Sequence, residues 1–187
     1  MDILAKRYMI TVLLIGLFVA TVPAHAQDRT GWGVSAGIGT SRIKDKDGAD
    51  EFSGAGFGMA LDVEYRLSSN IALGLGGFSL GRAEDSFGGV DTEIEARGWE
   101  FFGRVIYPVS DTAEFYGRVG TGTYFVDIDP GSVSFQDAVL GSGFVDFGFG
   151  VDFGRKEKLA FRLEGRYLNG GNDEAGALML FGFNYLF

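Results

Sequence analysis

The side chains in this chain that could do acid–base chemistry are carboxylates and arginines, and a dozen of them fall into one pattern. Asp62, Glu64 and Arg66 stand two apart, as do Arg162, Glu164 and Arg166; Glu100 with Arg104, Glu114 with Arg118, and Asp146 with Asp152 keep the same even spacing. Even spacing puts side chains on one face of an extended strand, whereas helical neighbours recur every three or four residues. Seven acids and five bases gathered on one face allow three kinds of chemistry: a structural ion-pair network, the gate or selective lining of a narrow pore, and carboxylate-only catalysis. Every base is Arg. A guanidinium can fork onto two carboxylates at once, which favours the network.

Composition closes most other routes. There is no Cys, so thiolate catalysis, thiol-ligated metal and disulfides are excluded. The one histidine, His25, lies in a segment that reads as a secretory signal peptide covering 1–26. Its charged start is Lys6 and Arg7, its apolar run goes from Ile10 to Thr21, and Ala24 and Ala26 make the small-residue cleavage site before Gln27. The apolar run is too short for a membrane-spanning helix, which needs about 20 residues. Once the leader is removed, the mature domain, 27–187, has neither His nor Cys. It cannot host a Ser-His-Asp triad, a Cys-His pair or a histidine-ligated zinc. With 16 Lys and Arg against 25 Asp and Glu, the chain is also too acidic for a nucleic-acid partner. We therefore expect no enzyme activity, no cofactor and no metal. The stretch Asp45-Lys46-Asp47-Gly48 lacks the spacing and terminal Glu of a calcium loop.

The elements that must position these residues are strands. Period-two alternation recurs in eight segments, near 31–42, 53–66, 71–82, 96–107, 114–126, 138–153, 159–168 and 177–187. Tight connections at 68–70, 110–112 and 155–158 alternate with longer ones near 43–52, 83–95, 127–137 and 169–176. That is the pattern of an eight-stranded, antiparallel, up-and-down β-barrel. Opposite the charges stand bulky groups, for example Phe57, Met59, Leu61, Val63 and Tyr65 in the second segment.

A water-soluble barrel would bury that bulky face and a membrane barrel would turn it to lipid. An eight-stranded interior is only wide enough for side chains to fill, and so many aromatics would overfill it. The charged face is also Gly-rich, including Gly37, Gly39, Gly56, Gly58, Gly120 and Gly122, as a crowded interior requires. Aromatics bracket the strands, with Trp32, Tyr65, Tyr107 and Tyr185 toward one end and Trp99, Phe125 and Tyr167 toward the other, like the girdles at membrane interfaces. These features predict a transmembrane barrel with its charges inside.

In these respects the mature chain resembles the small eight-stranded outer-membrane barrels of OmpA transmembrane domain, OmpX and opacity-protein type, grouped with porin-family proteins. The final strand, with Phe181, Phe183, Tyr185 and Phe187 at alternate positions, looks like the C-terminal signal read by the outer-membrane assembly machinery. The resemblance implies a Gram-negative outer membrane, with the termini and tight turns periplasmic. It implies a monomer whose partners are outer-membrane lipids, lipopolysaccharide and, during biogenesis, the assembly machinery. Unlike full-length OmpA, the sequence ends with the barrel and shows no peptidoglycan-binding domain. Lipid-modifying barrels of palmitoyltransferase and deacylase type use a catalytic His, which the mature chain lacks.

Two further expectations follow. The four longer connections carry acids such as Asp45, Asp47, Glu84, Asp85, Asp127, Asp129, Asp137 and Asp173, and read as solvated extracellular loops. Most of the inward charges lie toward the periplasmic end, so the Gly-lined outer half is expected to be roomier. That half is where a low-conductance pore or a small-ligand receptor would operate.

Overall fold

In the computed structural model, the described residues are 30–47, 50–87, 90–129, 140–154, 158–171 and 174–187. Ala24, Ala26, Asp137 and Asp173 lie outside them. The strands are β1 Gly31–Asp47, β2 Asp50–Ser68, β3 Ile71–Phe87, β4 Val90–Pro108, β5 Ala113–Asp129, β6 Leu140–Phe153, β7 Leu159–Gly171 and β8 Glu174–Leu186. Each pairs antiparallel with its neighbours in sequence, and β8 returns to β1 to close the barrel. Closure is the physical requirement for strands in lipid, because an open edge would leave backbone N–H and C=O groups with no water to bond.

Side chains alternate as the pattern requires. Phe57, Leu61, Leu75, Phe149 and Phe181 are exposed on the outside, while Glu64, Arg66, Glu100 and Arg104 are buried inside. At the end that carries the chain termini, Trp32 packs edge-on to Tyr65 and Tyr185 to Phe187, with ring centroids 5.2 and 5.1 Å apart. The turns at this end are short and polar. Ser69 and Asn70 join β2 to β3, with the Asn70 amide donating to Ser68 Oγ at 3.2 Å. In the β4–β5 turn, Ser110 Oγ accepts from the backbone N–H of Thr112 and Ala113 at 3.2 and 3.1 Å. Both are local side-chain-to-backbone bonds that suit Ser and Asn in turns.

At the other end the strands run further than alternation indicates, which corrects the expected loops. β1 continues to Asp47 and β2 begins at Asp50; β3 continues to Phe87 and β4 begins at Val90; β7 ends at Gly171 and β8 begins at Glu174. Asp45, Asp47, Glu84, Asp85, Asp127 and Asp129 thus belong to strands rather than loops. Beyond the lipid both faces of a strand can be polar, so no alternation marks it, yet the ladder bonds continue regardless.

The interior is filled in two zones. Toward the termini it holds the charged residues. Toward the far end it holds a hydrophobic core of Ile43, Phe78, Leu80, Ile94, Phe144, Leu168, Leu178 and Leu180, with Tyr124 and Val126 packed against it. The expectation of a roomier outer half is therefore wrong: the glycines there make space for large side chains that reach across the lumen. Added Cβ atoms at Gly58, Gly98 and Gly122 would stand 2.4 Å from Leu178, 2.8 Å from Phe78 and 2.9 Å from Phe144. Phe78 and Tyr124 both meet Phe144 edge-on, with centroids 5.4 and 6.1 Å away.

This packing makes a contrast testable. A Cβ at Gly182 would fall 1.9 Å from the Ala36 carbonyl oxygen, whereas one at lipid-facing Gly117 would meet nothing within 4 Å. Gly182→Ala is expected to cost about 1–3 kcal/mol as overpacking, and Gly117→Ala to stay within about 0.5 kcal/mol of wild type. Urea unfolding of the protein refolded into lipid vesicles measures both.

Candidate functional site

The structure places all twelve charged residues singled out above inside the barrel, and every one is at least 95 % buried. They form two stacked layers. In the layer nearer the termini, Arg66, Arg104 and Arg162 meet Glu64, Glu114 and Asp152. Asp152 is its centre. It accepts Arg162 Nε and Nη2 at 2.8 and 2.9 Å, Arg104 Nη2 at 3.3 Å and Asn184 Nδ2 at 3.1 Å. Arg66 bonds Glu114 and Arg104 bonds Glu64, and Arg162 Nη1 donates to Ser35 Oγ at 2.9 Å. Three guanidinium groups face three carboxylates, so this layer is balanced.

The second layer holds Arg118 and Arg166 among Asp62, Glu100, Asp146 and Glu164. Arg166 donates to Asp62 at 2.7 Å, Glu100 at 2.8 Å and Glu164 at 2.6 Å. Arg118 donates to Asp62 at 3.1 Å and Asp146 at 3.2 Å, and also bonds Glu100. With two arginines for four carboxylates, the layer draws a further donor from Tyr116, whose hydroxyl reaches Glu164 at 2.8 Å. Aromatic faces supply the remaining contacts: Arg104 lies 3.6 Å over the Tyr116 ring and Arg118 3.6 Å over Phe102. Desolvated cation–π contacts of this kind contribute about 2 kcal/mol.

Two features of the register explain why the layers fit. First, the charges stand beside glycine on neighbouring strands. Glu64 lies between Gly33 and Gly74, Glu100 between Gly76 and Gly122, and Asp146, Glu164 and Arg166 lie beside Gly120, Gly150 and Gly148. Second, some direct neighbours carry like charges: Glu114 faces Asp152 and Arg104 faces Arg118. Such pairs repel, and several groups take an opposite charge from across the lumen. Arg66 on β2 reaches Glu114 on β5, Arg104 on β4 reaches Glu64 on β2, and Arg166 on β7 reaches Asp62 on β2. The network braces strands that share no ladder.

The same geometry says what the site does not offer. Among the described residues, no group of three or more acids is arranged to hold a metal ion. The arrangement fills this part of the lumen with paired charge and ties its walls together.

Comparison with known proteins bears on the fold. A model of the outer membrane protein beta-barrel domain matches residues 10–187. The chain belongs to that family. Membership gives an outer-membrane location. Solved barrels with similar folds include Neisserial surface protein A (14 % identity, TM-score 0.62, 84 % of this chain and 97 % of that one). Another is the N-terminal β-barrel domain of Pseudomonas aeruginosa OprF (11 %, 0.55, 86 % and 100 %). A third is Ail, the attachment invasion locus protein of Yersinia pestis, solved in complex with the heparin analogue sucrose octasulfate (15 %, 0.53, 84 % and 99 %). No curated protein matches by sequence.

Within this family barrel, the polar core includes four residues that the charge pattern alone missed: Ser35, Phe102, Tyr116 and Asn184. Tyr116 stands midway between Glu114 and Arg118 and so shares their face. Asn184 lies opposite the Phe183–Tyr185 face, and Ser35 falls between Gly33 and Gly37. Parity could have placed each of them inside, though not assigned a partner.

Removing one cation should expose the dependence of the whole layer. Arg118→Met is expected to cost about 3–5 kcal/mol, because it strands buried carboxylates. Arg118→Lys should recover only part of that loss, since an ammonium cannot fork. Urea midpoints in vesicles measure both, and a loss under about 1 kcal/mol for Arg118→Met would show that the layer is not braced.

Proposed function

We propose that this protein is a sealed, non-catalytic barrel of a Gram-negative outer membrane. In this reading it supports envelope integrity and presents its outer strand ends for surface interaction. Residues 1–26 direct export and are removed after Ala26, and Phe181, Phe183, Tyr185 and Phe187 guide insertion by the assembly machinery. The observation that carries the reading is the filling of the lumen along its length. Two ionic layers occupy the periplasmic half, and the Phe78, Phe144, Leu178 and Leu180 cluster occupies the outer half. A pore or small-ligand receptor would need the outer half open, and no observation among the described residues favours one. Carboxylate catalysis is disfavoured on the same grounds, because every carboxylate of the network is engaged with arginine and shielded from both ends.

Two seals in series make a specific expectation. In planar bilayers the purified protein should give no reproducible single-channel steps. Arg118→Ser should remain silent, because the apolar cluster still closes the outer half. Reproducible steps from wild-type protein would move the assignment to a porin.

A further inference from the structure

The joint between β8 and β1 differs from the other joints of the barrel. Every other neighbouring pair is consecutive in the chain, so a connecting segment limits how far its two strands can part; β8 and β1 are held to each other by their ladder. Their inner faces also carry no charge. From Gly33 to Ile43 and from Gly176 to Asn184 the inward residues are Gly, Ser, Ile, Leu and Asn. All twelve buried charges lie on β2, β4, β5, β6 and β7. Ser35 and Asn184 join the two closing strands to the ionic layers, through Arg162 at 2.9 Å and Asp152 at 3.1 Å.

The wall is thin at this joint. Ala36, Gly37 and Gly182 line a groove of about 640 Å³ on the lipid side, and the same three residues line a small cavity on the lumen side. Gly37 pairs directly with Gly182, so a single layer of backbone separates groove from cavity. Asp62 and Arg166 stand behind it and line the cavity too. Arg166 Nη2 donates to Asp62 Oδ2 at 2.7 Å. Asp62 belongs to β2 and Arg166 to β7, so this one ion pair spans both closing strands. Parting β8 from β1 widens the arc from β7 to β2, and the ion pair bridges that arc on its inner side. With the two side chains 2 % and 5 % exposed, water does not compete for the bond.

We propose that the Arg166–Asp62 pair is a latch across the closing joint of the barrel. With the latch broken, β8 and β1 part toward the lipid while the charged strands from β2 to β7 stay assembled. Bilayer recordings probe how the lumen is filled along its axis, whereas the latch concerns the wall, so either reading can fail without the other.

Amide hydrogen exchange, read strand by strand on the full-length protein refolded into nanodiscs, tests the latch. Asp62→Asn removes the charge that spans the joint. Glu100→Gln is the control, because Glu100 bonds the same two arginines from β4 and does not bridge β7 to β2. Asp62→Asn should speed exchange in β1 and β8 at least about tenfold relative to β4 and β5, and Glu100→Gln should not single out β1 and β8. A disulfide between Ala36→Cys and Phe183→Cys, which are directly paired in a chain without Cys, staples the joint. It should return the Asp62→Asn protein to the wild-type pattern, while a staple between Gly103→Cys and Val119→Cys, paired across β4 and β5, should not. If Asp62→Asn does not refold, its form stapled at β8–β1 must refold for the latch to stand. Exchange that rises equally in all strands of Asp62→Asn, or that leaves β1 and β8 unchanged, would overturn it. So would equal rescue by the two staples.

Discussion

A strand in lipid must bond all its backbone groups to other strands and keep its charges off the lipid side, and this barrel's organisation follows from meeting both demands with only eight strands. Closure satisfies the backbone. It also encloses an interior so narrow that anything turned inward must pack against the opposite wall. Twelve charged side chains fit there because glycine stands beside most of them, and because Arg66, Arg104, Arg118 and Arg166 reach carboxylates on strands two or three places away. Gly76 shows how tight the fit is. An added Cβ there would lie 2.3 Å from Asp62 Oδ1 and 3.2 Å from Glu100 Oε1.

Burial of so much charge is not in itself stabilising. Desolvation of an ion pair can cancel its Coulombic gain, and apolar replacements are often as stable. What the network adds is cross-bracing. Ladder bonds connect each strand only to its neighbours, whereas Arg66, Arg104 and Arg166 tie β2 to β4, β5 and β7. The outer half achieves the same end by different means, with Phe78, Phe144 and Tyr124 stacked edge-to-face across the lumen. Among the described residues, the ionic layers and the apolar cluster fill the lumen in series.

The sequence was most legible where lipid imposes a period. Asp62-Val63-Glu64-Tyr65-Arg66 reads in, out, in, out, in, and the structure follows it residue by residue; the eight strands, their antiparallel order and the inward face of the charges come from that rule. Legibility failed where lipid ends. Between Ile43 and Gly54 or between Ala83 and Ala96, polar residues occupy odd and even positions alike, so long strands passed for loops. It failed again inside the outer half. Gly58 and Gly122 suggested empty space, but a glycine says only that its own side chain is missing and not whether a side chain from another strand, such as Leu178 or Phe144, fills the gap. Partner choice within the network was also illegible. Arg166 sits on β7 and its partners Asp62 and Glu100 on β2 and β4, so no local spacing could reveal the pairing.

A filled lumen requires that the five interior arginines be locked in a network that excludes water. Guanidinium hydrogen exchange tests it directly, in protein labelled with ¹⁵N-arginine and refolded into bilayer nanodiscs. The Nε–H signals of Arg66, Arg104, Arg118, Arg162 and Arg166 should persist in D₂O long after those of Arg42, Arg82 and Arg97 have vanished. Exchange of the interior set at the rate of the exposed set would mean that water threads the barrel, and the filled-lumen account would be wrong.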